Sequence, residues 1–345
     1  MPCKPLLLTF LSIVVSSSIH AQLIIGTPTK FGTNAKEVDT ENLRNFKNTT
    51  TVFFYNEENS EYFEEYGDKI KQDWHITPLI FAPVSESEKY AQARYGTYSF
   101  FSYYMIGSVL GSSYVEDSWT FLDLKVPSDG DFETISRLAL GPETKDAIYL
   151  SRFFLNDKPK TGLFEQLLEN PMKNEESIYI NRAMKYLQTK ASFTNLYPGI
   201  FRHYLKYIDK GLSSGETRGI MDPPPHGKKL ADLAKDTLIV PEDILLHWDK
   251  KGEKFEVLDP KELFSKYDYQ YKILSLHEIN ELFLGRGKTE GLFIMVPALS
   301  SQNQFINIYT PDGEWIYSDW DASGNGFKAR DMKKISKKIS KAAKD

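Results

Sequence analysis

The chain is almost devoid of cysteine, since its 345 residues include only Cys3. Thiol–disulfide exchange needs a thiolate, and a disulfide framework needs cysteines in pairs. Cys3 also precedes the first apolar stretch, whereas a lipid-attachment cysteine would follow it. The sequence therefore excludes a thioredoxin-like redox enzyme and predicts a fold stabilised by core packing rather than by disulfides.

An excess of basic residues and the common catalytic motifs are also missing. The net charge of −5 argues against a general nucleic-acid binder. The sequence has no HExxH zinc motif, no GxSxG nucleophile elbow and no glycine-rich phosphate loop. His277 and Glu281 are four residues apart, but two ligands do not make a zinc site. These absences predict no cofactor and favour a non-enzymatic role. A hydrolase whose catalytic carboxylates are not identified by any motif stays open.

No apolar run in the sequence is long enough to cross a membrane as a helix. Residues 1–21 contain one cation, Lys4, an apolar stretch from Leu6 to Val15, and small polar residues before Ala21. This order of segments is typical of a secretory signal peptide. We therefore expect cleavage after Ala21, export to the periplasm or the extracellular space, and a mature chain without a transmembrane segment.

What the sequence does contain is a strand–helix–strand unit near its N-terminal end. Its three parts lie at residues 49–55, 60–74 and 76–84. A short helix at 85–96 and a β-hairpin at 98–126 follow. In the second strand of the hairpin the alternation of apolar and polar residues fails near Asp117, which predicts a bulge there. Aromatic residues make up 14% of the chain, which favours a β-rich interior because such rings bury large areas.

Helical periodicity replaces the strand pattern between residues 159 and 235. Ile200, Tyr204 and Ile208 form one apolar face, and Gly211 is placed to end that helix as a C-terminal cap. Pro223–Pro225 forbid a helix and favour an extended spacer. This region therefore reads as a helical connector that ends in a proline-rich spacer.

The same order of elements returns after residue 236, where Asp312-Gly313 predicts the tight turn of a closing hairpin. We therefore predict an α/β or α+β fold with two related small mixed-sheet domains, each built as strand–helix–strand–helix–hairpin around its own core. The predicted segments are a signal peptide at 1–21, a first domain at 22–158, the connector at 159–235, a second domain at 236–325 and a basic C-terminal helix or tail at 326–345.

Four aromatic residues are candidates for ligand binding: Tyr103, Trp119, Trp315 and Trp320. Aromatic rings that remain exposed at a surface present flat apolar faces on which sugar rings can stack. The alternative interpretation places all four rings in the core, where most aromatic side chains are found.

A second candidate site is a half-match to a calcium loop. Asp319, Asp321 and Ser323 occupy alternate positions, with Gly324 sixth, as in the first half of such a loop. Position twelve is Arg330 instead of a bidentate glutamate, so a polar turn that leaves the last strand is the alternative. The basic segment that follows has a weak apolar stripe. It is expected to lie on an anionic surface, to dock on the acidic body of the protein, or to remain a solvated helix.

Three stretches, WHITPLIF, LYPGIFRHYLKYI and DTLIVPEDIL, are similar to uncharacterised secreted two-module α/β proteins of Bacteroidota type. The resemblance implies export and a two-module layout, and it supplies no activity and no functional residue. The sequence thus favours an exported, non-enzymatic binding or scaffolding protein of the bacterial cell envelope, with an envelope protein or a glycan as partner. A glycan-binding protein that uses the four aromatic residues, and a hydrolase, are the alternatives.

Overall fold

The fold is taken from a computed structural model, which describes residues 22–29, 34–55, 60–91, 96–109, 115–128, 131–141, 193–219, 222–249, 254–299, 304–321 and 326–344. Helices and mixed sheets alternate along these ranges, so the predicted α/β class is confirmed. None of the helices in them has both the length and the apolarity to cross a bilayer. The predicted signal peptide, Ser323 and most of the N-terminal half of the connector lie outside the described residues.

Within the described ranges, the first eight strands are β1 (Leu23–Ile25), β2 (Thr27–Pro28), β3 (Ala35–Lys36), β4 (Thr50–Tyr55), β5 (Leu79–Pro83), β6 (Tyr98–Val109), β7 (Val115–Ser128) and β8 (Asp131–Ala139). Six of them form a sheet in the order β1-β8-β7-β6-β4-β5, and β2 pairs with β3. Strand β4 is parallel to β5 and β6, while the other pairs are antiparallel. The β6–β7 register shifts beside Asp117, which confirms the predicted bulge.

The remaining strands of the described chain are β9 (Thr237–Pro241), β10 (Leu246–Asp249), β11 (Lys254–Val257), β12 (Gln270–Leu274), β13 (Leu292–Leu299), β14 (Gln304–Tyr309) and β15 (Trp315–Asp321). Five of them form a second sheet in the order β12-β9-β13-β14-β15, and β10 pairs with β11. Strand β9 is parallel to β12 and β13, and β13, β14 and β15 pair antiparallel. The five-stranded sheet therefore repeats the order and directions of β5-β4-β6-β7-β8.

The α-helices of the described ranges are α1 (Thr40–Lys47), α2 (Ser60–Lys71), α3 (Ser87–Ala91), α4 (Pro198–Ser214), α5 (Pro260–Leu263), α6 (Leu276–Phe283) and α7 (Ala329–Ala342). The starts of α1 and α6 follow local capping rules. The Asp39 side chain accepts a hydrogen bond from the Glu41 amide at α1, and Ser275 and Glu278 form a capping box at α6.

Helix α4, which we call the core helix, lies between the two sheets. Its Phe201 ring is 4.7 Å from the Phe53 ring of β4, and its Tyr204 ring is 6.1 Å from the Tyr309 ring of β14. Eleven of its 17 residues are buried, so the helix is enclosed on more than one side. Each large apolar side chain buried in this way stabilises the fold by roughly 1.5–3 kcal/mol.

The expectation of two separate cores is therefore wrong. The largest hydrophobic cluster combines residues of both sheets with the core helix. The sequence pattern marks one apolar face on this helix, at Ile200, Tyr204 and Ile208, and such a face predicts a connector that packs on one side only. The neighbouring Phe201 and Leu205 are also fully buried, and they widen that face until both sheets pack against one helix.

The proline-rich segment is bound to the body of the protein rather than free in solution. Arg218 Nη1 donates a hydrogen bond to the Pro223 carbonyl oxygen at 2.8 Å, and the His226 amide donates to the Trp315 carbonyl oxygen at 3.1 Å. These contacts attach Pro223 to Arg218 and His226 to β15 of the five-stranded sheet.

The two sheets turn opposite faces toward the core helix. In the six-stranded sheet the helix between the first two parallel strands, α2, packs into the shared core, and α3 lies on the outer face. In the five-stranded sheet the arrangement is reversed, since α5 lies on the outer face and α6 packs into the shared core. Helix α7 covers that outer face with Met332, Ile335 and Ile339, so the basic C-terminal segment docks on the chain's own body.

Close approach between the core helix and α6 requires glycine at position 199. A Cβ atom at Gly199 would lie 2.6 Å from the Asn280 carbonyl oxygen, whereas one at Gly67 in α2 would meet only the Phe81 ring, at 3.5 Å. We predict that Gly199→Ala lowers the free energy of unfolding by about 1–3 kcal/mol. Gly67→Ala should raise it by about 0.5–1 kcal/mol, because alanine is the better helix former.

Urea denaturation of the two variants measures both free energies of unfolding and shows whether one falls and the other rises. Equal effects of the two substitutions would contradict the packing described for the core helix.

Candidate functional site

A chain of buried polar side chains runs between the two sheets. The Tyr204 hydroxyl donates to Gln22 Oε1 at 2.9 Å and accepts from Asn195 Nδ2 at 3.1 Å. Asn307 Nδ2 also donates to Gln22 Oε1, and Ser318 Oγ donates to Asn307 Oδ1 at 2.7 Å. All five residues are buried. The chain joins the residue before β1, the core helix and the two last strands of the five-stranded sheet.

These groups satisfy one another, which identifies the chain as a structural element. The Gln22 side-chain amide donates to the Ala139 carbonyl oxygen at 2.8 Å, so both ends of that amide are used. Burial raises the pKa of Tyr204 to about 12, and its hydroxyl therefore stays protonated as a donor. Because a buried polar group without a partner is costly, this chain specifies how the two sheets align.

One ion pair and two hydrogen bonds fix the loop before β5 to the core helix. The Asp209 carboxylate accepts hydrogen bonds from the backbone amides of His75 at 2.6 Å and Ile76 at 3.0 Å. Arg202 forms the ion pair with Asp73. Both carboxylates are thus occupied in structural contacts.

The predicted aromatic platform does not assemble as a set of exposed rings. Trp315 is 1% exposed, and its indole nitrogen donates to the Tyr317 carbonyl oxygen, so the expectation that this ring is exposed is wrong. Trp320 is half-buried against a cluster of residues from both sheets. Tyr103 and Trp119 lie on β6 and β7, and their side chains are outside the described residues. A ligand role for these residues stays a prediction.

The two predicted calcium ligands that the structure describes contact cations of α7. Asp321 accepts a hydrogen bond from Lys334 Nζ at 2.8 Å, and Asp319 lies 3.9 Å from the same nitrogen. Arg330 is 3.6 Å from Asp321. Across the described ranges, no group of three or more His, Cys, Asp or Glu side chains is placed to hold a metal ion. With Ser323 outside those ranges, the calcium site stays a prediction.

A different set of aromatic residues does come together, on the outer face of the six-stranded sheet. We call this set the aromatic layer; its members are Phe54, Tyr90, Tyr98, Phe100 and Phe132. The Phe54 and Phe100 rings are stacked with centroids 6.0 Å apart, and Phe132 lies 5.8 Å from Phe100. Tyr90 is buried, and the other four rings are half-buried. Rings from β4, β6, β8 and α3 therefore contact one another and form a partly accessible apolar surface.

The sequence contains a signal for this layer at positions other than the four candidate aromatic residues. Each of two strands contains a Phe-Phe pair, Phe53-Phe54 and Phe100-Phe101. Successive side chains of a strand point to opposite faces, so one ring of each pair must lie on the face away from the shared core. Phe53 and Phe101 are the buried members.

Comparisons with known proteins give no independent assignment. A scan against protein-family models finds no matching family, and searches of curated proteins and of solved structures find no match.

The buried polar chain generates a stability prediction. Tyr204→Phe leaves Asn195 Nδ2 without its acceptor and removes one donor to Gln22 Oε1, so we expect the free energy of unfolding to fall by about 1–3 kcal/mol. Tyr62 is a half-buried tyrosine on α2 that does not belong to these hydrogen-bonded side chains. Tyr62→Phe should therefore change the free energy of unfolding by less than about 0.5 kcal/mol. Chemical denaturation of both variants measures the difference, and equal values would contradict the role given to Tyr204.

Proposed function

We propose that this protein is an exported, non-enzymatic binding protein of the bacterial cell envelope, and that its ligand surface is the aromatic layer. The observation that carries the proposal is the contact between half-buried rings of β4, β6 and β8 on one sheet face, where Phe54 stacks on Phe100 and Phe132 meets Phe100 edge-on. A contiguous apolar patch that solvent can reach is a common mark of an interaction site.

The rest of the molecule suits a binding role. The core helix holds both sheets in one body, so the rings of the aromatic layer occupy fixed positions before a ligand arrives. Preorganised aromatic side chains lose little conformational entropy when they bind. Tyr98 and Tyr90 add hydroxyl groups beside the phenylalanine rings, which favours a glycan, since sugars combine apolar ring faces with hydroxyl groups.

The test is binding of residues 22–345 to an array of envelope glycans. Phe54→Ala and Phe100→Ala should each weaken binding about 2- to 12-fold, because each ring contact contributes about 0.5–1.5 kcal/mol. Tyr62→Ala, a half-buried ring on α2, is the matched control and should bind like the wild type. Thermal unfolding must show that every variant is folded at the assay temperature. Binding that is unaffected by both phenylalanine substitutions would contradict the proposal.

Hydrolysis through carboxylates is the second candidate function, and Asp319 is the observation that favours it. Burial raises the pKa of Asp319 above its usual value, although Lys334 acts in the opposite direction. Asp321 lies two residues further on the same strand, hence on the same face. A carboxyl group with a raised pKa beside a second carboxyl is the combination that general acid–base hydrolysis uses.

Release of reducing ends from envelope polysaccharides tests this second candidate. If it holds, Asp319→Asn abolishes the release and leaves glycan binding unchanged, while Asp68→Asn, an exposed carboxylate on α2, has no effect. Unchanged activity of Asp319→Asn would eliminate Asp319 as the acid.

We also propose that the two halves arose by duplication of one strand–helix–strand–helix–hairpin unit. The shared strand order and the shared parallel and antiparallel directions support this. The proposal accommodates the reversed packing, because a duplicated sheet unit can bury either of its two faces.

A further inference from the structure

His203 occupies an unusual position at the contact between the core helix and the β14–β15 turn, which comprises residues 310–314. The side chain is almost fully buried, and its ring lies 4.7 Å from the Phe283 ring of α6. Neither ring nitrogen has a hydrogen-bond partner among the described residues. A neutral imidazole has one donor and one acceptor, so both are buried unpaired, at a cost to stability.

The turn closes directly over this ring. A Cβ atom at Gly313 would lie 1.9 Å from His203 Nδ1, so only a glycine fits there, and its φ of +86° also suits glycine. One helical turn further along, the Tyr207 hydroxyl donates to the Gly313 carbonyl oxygen at 3.1 Å and accepts from the Trp315 amide at 2.7 Å. The imidazole and the phenol together hold the turn against the core helix.

A charged imidazole is poorly accommodated at this position. From the core helix, Arg202 and Lys206 add positive potential, while Asp73 and Asp312 oppose it from the loop before β5 and from the turn. Helix α6 contributes the apolar Phe283 ring. Burial, together with the two cations, lowers the pKa of His203 to about 3, so the closed contact contains a neutral ring.

We propose that the core helix and the β14–β15 turn form an acid-sensitive joint, in which protonation of His203 releases the turn and opens the contact between the core helix and the five-stranded sheet. The direction follows from linkage. The pKa of His203 is lower in the closed contact than in an open one, so the closed contact is at full strength above the ordinary histidine pKa and weakens as the pH falls below it.

Native-state hydrogen exchange of residues 22–345, corrected for intrinsic exchange rates, tests the joint at pH 7 and pH 5. An open-state pKa of about 6.5 predicts that the opening constant of peptides spanning 304–317 rises about 25-fold between these values. Peptides spanning β4 in the six-stranded sheet should change much less. His203→Phe should reduce the rise to less than about 2-fold, whereas His277→Gln, an exposed histidine on α6, should behave like the wild type.

The proposal would be overturned if the opening constant rose equally in His203→Phe or in the β4 peptides. It would also be overturned if the opening constant of the wild type did not rise between pH 7 and pH 5. If His203→Phe does not fold, the wild type still decides. NMR titration of the His203 imidazole should show proton uptake together with shifts of the Gly313 and Trp315 amides. Titration near pH 6.5 with those amides unmoved would overturn the joint.

Discussion

The packing of one helix between two sheets is the interaction on which the rest of this structure depends. The core helix presents Phe201 to the six-stranded sheet and Tyr204 to the five-stranded sheet, and glycine at position 199 lets α6 approach its start. Side chains far apart in sequence meet around it, as when Gln22 and Asn307 are joined beside Tyr204. Two sheets that would otherwise form separate domains thereby share one interior.

This shared interior explains why most of the chemically interesting groups serve structure. Asp209 binds backbone amides before β5, and Tyr204 is a neutral donor in the core. Asp123 and Arg137 form a bidentate pair across β7 and β8, with the guanidinium 4.9 Å from the Phe121 ring. A buried pair of this kind is costly to break because the remaining charge loses its partner. The outer face of the six-stranded sheet is different, because its rings are still partly accessible to solvent.

Features fixed by neighbours in the sequence could be predicted, and features fixed by distant contacts could not. The Asp312-Gly313 turn, the bulge beside Asp117 and the start of α2 at Ser60 depend on a few adjacent residues. Gly211 has the sequence context of a helix cap, yet the helix ends at Ser214 with Gly215 as its cap. Gly211 instead packs against Ile25, where a Cβ atom would lie 2.7 Å from the Ile25 side chain.

The candidate site follows the same division. Burial of Trp315 depends on the core helix about a hundred residues away, so no local pattern distinguishes it from an exposed ring. The rings at Phe54 and Phe100 could be predicted from the sequence, since a Phe-Phe pair in a strand must place one ring on each face of the sheet. The sequence does not indicate which of the two sheet faces packs against the core helix.

The central claim is that both sheets and the core helix form one cooperative unit. The most direct measurement is hydrogen exchange across a urea titration, comparing peptides from β4 in one sheet with peptides from β9 in the other. A shared core predicts that both peptides lose protection at the same urea concentration. Loss of protection in one sheet while the other remains protected would contradict the account.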